Sequence, residues 1–400
     1  MRLKITQKNA TGYYSAIHAL YFCVSALITC YASAFLLDYG FTNTQIGIAM
    51  GIAYLASALL QPLLATFAQK TGIRLGNCLC VLSGIIALLA VMMWLVPTHG
   101  LALLVMEIVV LMLHSAMQSA INALYRGYHN RGTKINFSLA RGMGSVAFSL
   151  TNLLAGLLLR SLSITTLPAL YLIPSILLSL VLVFFHAPNV ASEEHNSVVT
   201  PKEKRLLLRQ YPYFYLFLAG VMFLGLTHTF TESYLFQIME NIGGTSSNLG
   251  IAMAITAITE LPAMLLYKRI YKRFGNRKLL GLACWIWALK SFCITIAPNV
   301  YVIYAAELLQ FAGYAIYVPA GVRYVAHAIP ESEYMKGQAL VGSSFTVGQL
   351  LAVLVGGRLI DKIGVRPSLW CVQVCSVIGV TLFTLAMRSS LKRFPSIKEQ

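Results

Sequence analysis

Charge is what this chain has least of. Only 11% of its 400 residues are charged, against roughly a quarter in a soluble globular chain, which excludes a solvated globular fold over most of its length. Catalytic signatures are missing as well. There is no Gly-rich phosphate loop, no HExxH, no nucleophile motif and no soluble stretch able to house them, which argues against an enzyme. The eight cysteines lie mostly inside apolar runs. Pairs such as Cys78/Cys80 and Cys371/Cys375 lack the His or Cys set of a zinc site, so they read as small hydrophobes and no cofactor is expected. No cleavable leader is expected either, because the apolar run after Lys8 is too long and has no small-residue cleavage site. The first helix is therefore expected to stay.

What is present is apolar: 58% of the residues are hydrophobic. Twelve runs approach the ~20 residues that cross a bilayer, at about 12–36, 46–68, 77–96, 101–126, 137–159, 167–186, 213–239, 248–267, 279–297, 301–326, 338–357 and 367–387. The expected fold class is an all-α membrane protein of twelve transmembrane helices. The formal charge of +17 does not point to nucleic acid. With a cytoplasmic N-terminus, 24 of the 30 basic residues fall in inside segments, the bias expected of a multi-pass chain in a cell (inner) membrane with both termini cytoplasmic.

A polar stretch over 187–210 separates six runs from six, predicting an N-terminal bundle over 1–186, a cytoplasmic linker, and a C-terminal bundle over 211–400. The halves echo one another. "QIGIAMGI" (45–52) returns as "NLGIAMAI" (248–255), Glu107 in "MEIVVLMLHSA" matches Glu307 in "AELLQFAGYA", and "GMGSVAFSLTNLLAG" (142–156) matches "LVGSSFTVGQLLAVLVGG" (340–357). Duplicated six-helix units are a signature of secondary transporters.

Six charged residues interrupt apolar runs: Glu107, Arg141, Glu232, Glu260, Lys290 and Glu307. Isolated in lipid they would cost about 15–20 kcal/mol together, so they are expected to face a cavity or each other. Helical spacing aligns Glu107, His114, Gln118 and Asn122 on the fourth run, Glu307, Gln310, Tyr314 and Tyr317 on the tenth, Tyr14, His18, Tyr21 and Ser25 on the first, and His228 with Glu232 on the seventh. The simplest reading is that these faces line one aqueous cavity for a small polar solute. Tyr, Gln and Asn at such positions also serve as interhelical fasteners, Lys290 can simply neutralise Glu260 or Glu307, and Glu232 reads equally as interfacial.

"LQPLLATFAQKTGIRLGN" (60–77), "FSLARGMGSVAF" (137–148) and "TELPAMLLY" (259–267), in this order, resemble the major facilitator superfamily, and within it the lactose-permease-like sugar/proton symporters. The resemblance covers essentially the whole chain. It implies two pseudo-symmetric six-helix halves, alternating access, a monomer, and substrate and protons as the partners besides the lipid bilayer. It further implies that Arg141 binds sugar, Phe148 stacks on the ring, Glu260 accepts sugar hydroxyls, and Lys290 stands where a ninth-helix arginine is linked to proton coupling. Departures are plain: Asn122 occupies the place of a sugar-binding glutamate, Gln310 and Gly313 those of a histidine and a proton-carrying glutamate, and Gln69 that of a loop aspartate. Candidate substrate contacts are therefore Arg141, Glu260, Phe148, Asn122, His114, Gln118, Tyr21, Gln310 and Tyr314. Candidate proton-coupling residues are Glu307, Glu260, Lys290 and Glu107. An exporter working by antiport, a uniporter, and a receptor-like sensor remain alternatives.

Overall fold

Every crossing is a helix, because hydrocarbon offers nothing to an unpaired backbone amide and a helix bonds its own. The computed structural model describes residues 9–96, 100–129, 135–184, 212–329 and 333–393; the linker expected over 187–210 lies outside them. Among the described residues there is no strand, and twelve helical spans are long and apolar enough to cross a membrane. They are α1 (Ala10–Cys30), α2 (Asn43–Thr71), α3 (Leu75–Leu95), α4 (Leu101–His129), α5 (Phe137–Ser161), α6 (Leu167–Phe184), α7 (Pro212–Ser233), α8 (Ser246–Phe274), α9 (Asn276–Ile296), α10 (Val300–Ala328), α11 (Tyr334–Ile363) and α12 (Val365–Arg393). The chain is thus a multi-pass membrane protein.

Contacts divide the chain into two compact units, Met1–Val199 and Thr200–Gln400. In the first, α1 packs on α5 and α6, α3 on α4 and α6, and α2 on α4. The second repeats this with α7 on α11 and α12, α9 on α10 and α12, and α8 on α10. Local chemistry repeats too. Thr42 and Gln45 form a capping box at the start of α2, and Thr245 with Asn248 forms one at the start of α8, each satisfying amides the first helical turn leaves open.

Three spans are interrupted where the apolar pattern alone predicts continuity. α1 breaks at Tyr31 and resumes as Ala32–Asp38, and α7 breaks at Tyr234 and resumes as Leu235–Glu240. In both, the tyrosine hydroxyl donates across to the partner helix, Tyr31 to the Asn152 carbonyl at 3.1 Å and Tyr234 to the Val353 carbonyl at 2.7 Å. The third interruption divides α10 into Val300–Leu308 and Tyr314–Ala328 around a 3-10 turn, Leu309–Phe311. Gly313 closes that turn with its Cα against the Trp287 backbone; an added Cβ would stand 3.2 Å from it. Several helices outrun the apolar runs, because Lys, Arg and Gln continue a helix readily past the hydrocarbon. α8, for example, ends at Phe274, beyond the expected 267.

Candidate functional site

In the second unit the break in α10 brings charges together. Glu307 is the last residue but one of the first piece, Gln310 lies in the 3-10 turn and Tyr314 opens the second piece. Lys290 on α9 reaches three acceptors: its Nζ stands 2.6 Å from Glu307 Oε2, 2.9 Å from Gln310 Oε1 and 3.3 Å from Glu232 Oε1 on α7. Thr256 on α8 donates to Glu307 Oε2 at 2.6 Å. The Gln310 amide then turns its nitrogen to Glu260 Oε1, one turn beyond Thr256, at 3.0 Å. Lys290 and Glu307 are almost wholly buried, at 3% and 2% side-chain exposure, while Glu232 is at 27%. One ammonium therefore serves two carboxylates directly and a third through a neutral amide. With both ionised, Glu307 and Glu232 bring one more negative charge than Lys290 offsets, and burying unbalanced charge in low dielectric is costly.

An aromatic wall stands beside it. The His228 ring stacks on Tyr314 at 4.4 Å and meets Trp287 edge-on at 5.2 Å, with Phe345 6.4 Å from Tyr314. Tyr314 is half-buried.

The first unit is built differently. Arg141, half-buried on α5, lies with its guanidinium 4.3 Å over the Phe22 ring of α1 and donates to Ser145 at 3.1 Å. Phe22 can lie flat there because residue 144 is glycine; a Cβ would come within 2.6 Å of the ring. Phe148 meets Phe22 edge-on at 6.3 Å. Behind them sit two buried histidines, His18 against Tyr14 and Phe22, and His114 stacked on Tyr21 at 4.5 Å; among the described residues neither has a hydrogen bond at either ring nitrogen. Tyr21 itself is buried, its hydroxyl given to the His114 carbonyl at 3.2 Å.

The face expected to run from Glu107 to Asn122 divides. Glu107 and His114 are 2% and 1% exposed, whereas Gln118 and Asn122 are exposed. At about 100° per residue Asn122 stands some 60° around the helix from Glu107 but Gln118 only some 20°, so rotation accounts for the exposure of Asn122 and not for that of Gln118. Asn122 lines a recess with Ser119, Ala123, Tyr125 and Phe137. Glu107 lies near Tyr171 on α6, and no described cation is within ion-pair distance of it.

So the structure gathers Glu260, Gln310, Tyr314, Lys290 and Glu307 into one constellation, and Arg141 with Phe148 into another. Tyr21, His114 and Glu107 are set into the interior of the first unit, and Gln118 and Asn122 on its surface. Lys290 meets Glu307 directly and Glu260 only through Gln310. Sequence reasoning undervalued Glu232, which belongs to the ion cluster, and did not single out Thr256, Phe22 or Trp287. Thr256 falls one turn before Glu260, and Phe22 one turn after His18 on a stripe already recognised.

Comparison with known proteins follows the same lines. The model of the family described as "MFS_1 like family" matches residues 13–370. A maltose permease of Geobacillus stearothermophilus is 26% identical over 352 residues, 86% of each chain. Among solved structures, the nucleoside transporter NupG superposes with a TM-score of 0.77 at 16% identity, over 96% of this chain and 99% of that one. A D-xylose-proton symporter gives 0.68 at 14% identity, over 98% and 99%. At such identities the likeness to the two structures is one of fold.

Proposed function

The chain belongs to the MFS_1-like family and is a transporter rather than an enzyme, and from that premise we propose that it carries a small polar organic solute, such as a sugar or glycoside, in symport with protons by alternating access. It does so as a monomer in the cell (inner) membrane, with both termini cytoplasmic.

The observation that carries this reading is the single ammonium shared among carboxylates in the second unit. Adding a proton to Glu307 removes half of its ion pair and frees Lys290 for its other acceptors, so a proton and a rearrangement of side chains are linked at one place. Glu260, joined to that place through Gln310, is the substrate-facing acid; Lys290 and Glu307 hold and release the proton, with Glu107 as a further acid in the first unit. Arg141, Gln118 and Asn122 supply donors and acceptors for hydroxyl groups, Phe148 and Tyr314 supply ring faces, and Tyr21 and His114 hold the first-unit surface in shape. The relationship to a maltose permease supports a sugar as the solute class.

The test is proton flux in proteoliposomes containing the purified protein. Adding the solute outside, with no imposed gradient, draws protons in and alkalinises the medium if the reading is right. Acidification would make the protein an antiporter, and solute entry without any pH change a uniporter.

A further inference from the structure

We propose that the α8–α9 turn, together with the adjoining end of α12, is a docking surface for the headgroups of anionic phospholipids. Six basic residues fall between Lys268 and Lys278. Of these, Lys268, Arg269, Lys272, Arg273 and Lys278 are exposed, as is Arg388 on α12. Arg277 is half-buried and donates to the Met387 carbonyl, tying the start of α9 to the end of α12 beside Arg388. No Asp or Glu occurs in the sequence between Glu260 and Glu307, so nothing on these two helices neutralises the turn.

The surface is held rigid. α8 passes into α9 through one residue, Gly275, at φ +75°. Tyr267 donates to Asn276 Oδ1 at 2.6 Å, Asn276 donates to the Ala320 carbonyl at 3.0 Å, and Arg323 stacks 4.3 Å over Tyr271. Apolar and basic groups are also aligned for a bilayer. Leu265, 77% exposed, precedes Arg269 and Lys272 by one and two turns, and Phe274 is 56% exposed. A stripe that is apolar below and basic above matches an acyl chain below a phosphate.

Orientation alone does not require this much charge. The α2–α3 turn of the first unit, opened by Gly72 at φ +68°, is assigned to the same membrane side by the charge bias and carries only Lys70 and Arg74. The second turn has three times as many basic residues.

Native mass spectrometry of the full chain in detergent, with phosphatidylglycerol or phosphatidylcholine added, tests the assignment. Phosphatidylglycerol should be retained about tenfold or more in preference, and the preference should fall as salt rises. The quadruple variant Lys268→Gln, Arg269→Gln, Lys272→Gln, Arg273→Gln should lose it, while Lys268→Arg with Lys272→Arg, and Lys70→Gln with Arg74→Gln, should keep it. Equal retention of the two lipids by the unmodified protein, a preference insensitive to salt, or equal losses in the quadruple and the Lys70/Arg74 variants would overturn the proposal. The first two readouts need no variant, so they stand even if the quadruple variant does not fold.

Discussion

Glu107 and Glu307 hold matching places in the two units, yet they live in different company. Glu307 shares Lys290 with Glu232 and accepts from Thr256. Counting from Gly72 and Gly275, which precede the two third helices, the position corresponding to Lys290 is Ala87 in the first unit. Helix pairing, caps and tyrosine bonds are the same in both units. The helix pairing is therefore repeated, although α10 alone carries the 3-10 break and α4 does not, while among the described residues the buried ionic network belongs to one copy and the Arg141–Phe22 surface to the other. On the proposed function, proton handling and ring binding are separable, and substitutions should sort by unit.

The largest effect is expected from Lys290→Met. It leaves Glu307 and Glu232 without their cation, which typically costs about 3–5 kcal/mol. The variant should melt well below the parent in detergent and lose pH-gradient-driven accumulation. Lys290→Met combined with Glu307→Gln should recover much of the stability without the coupling. A Lys290→Met protein as stable as the parent would erase the contrast between the units. Arg141→Ala comes next: ligand affinity should drop by about 10- to 100-fold, the range of one or two charge-assisted bonds, while the melting temperature without ligand hardly moves. If instead Arg141→Ala destabilises as much as Lys290→Met, the first unit is also held by an ionic network.

A smaller effect compares packing. At Gly348 an added Cβ falls onto the Met222 carbonyl of α7 and close to the Leu226 amide, whereas at Gly144 it meets only the Phe22 ring. Gly348→Ala should therefore cost stability, about 1–3 kcal/mol for a forced overpacking. Gly144→Ala should cost less, because a ring can turn, but should weaken ligand binding by disturbing the platform under Arg141. Smallest of all are Tyr31→Phe and Tyr234→Phe. Each removes one hydrogen bond within a membrane bundle, about 0.6 kcal/mol, and thermal melting should give two nearly equal shifts. Unequal shifts would mean that the repeated geometry is not repeated energetics.

How much of this was legible in the sequence depended on which direction the information runs. Along the chain it is rich: the apolar runs marked twelve spans, and "GIAM" at 47–50 and 250–253 announced the repeat whose capping threonines the structure displays. Around a single helix it is partial, since spacing grouped Glu107 with Asn122 and the remaining 60° of rotation separated them. Across helices it is nearly absent. Nothing in the spacing of α7, α9 and α10 states that Glu232 and Glu307 meet at one lysine, because that register depends on the break at Leu309–Phe311 and on the contact of Gly313 with Trp287. A glycine and a glutamine in an apolar run do not look like an interruption. They become one only when a neighbouring backbone is close enough to need the space.

Lys290 also has a limited valence. An ammonium has three N–H groups, and here each has a taker: Glu307, Gln310 and Glu232. Nothing is left over for an incoming molecule, so a solute can engage this lysine only by exchange, dislodging one of the three. Glu232 is the easiest to dislodge, being the most distant at 3.3 Å and the most exposed at 27%. Such a site favours solutes able to accept a hydrogen bond as well as a carboxylate does, and its selectivity becomes a competition with the protein's own side chain.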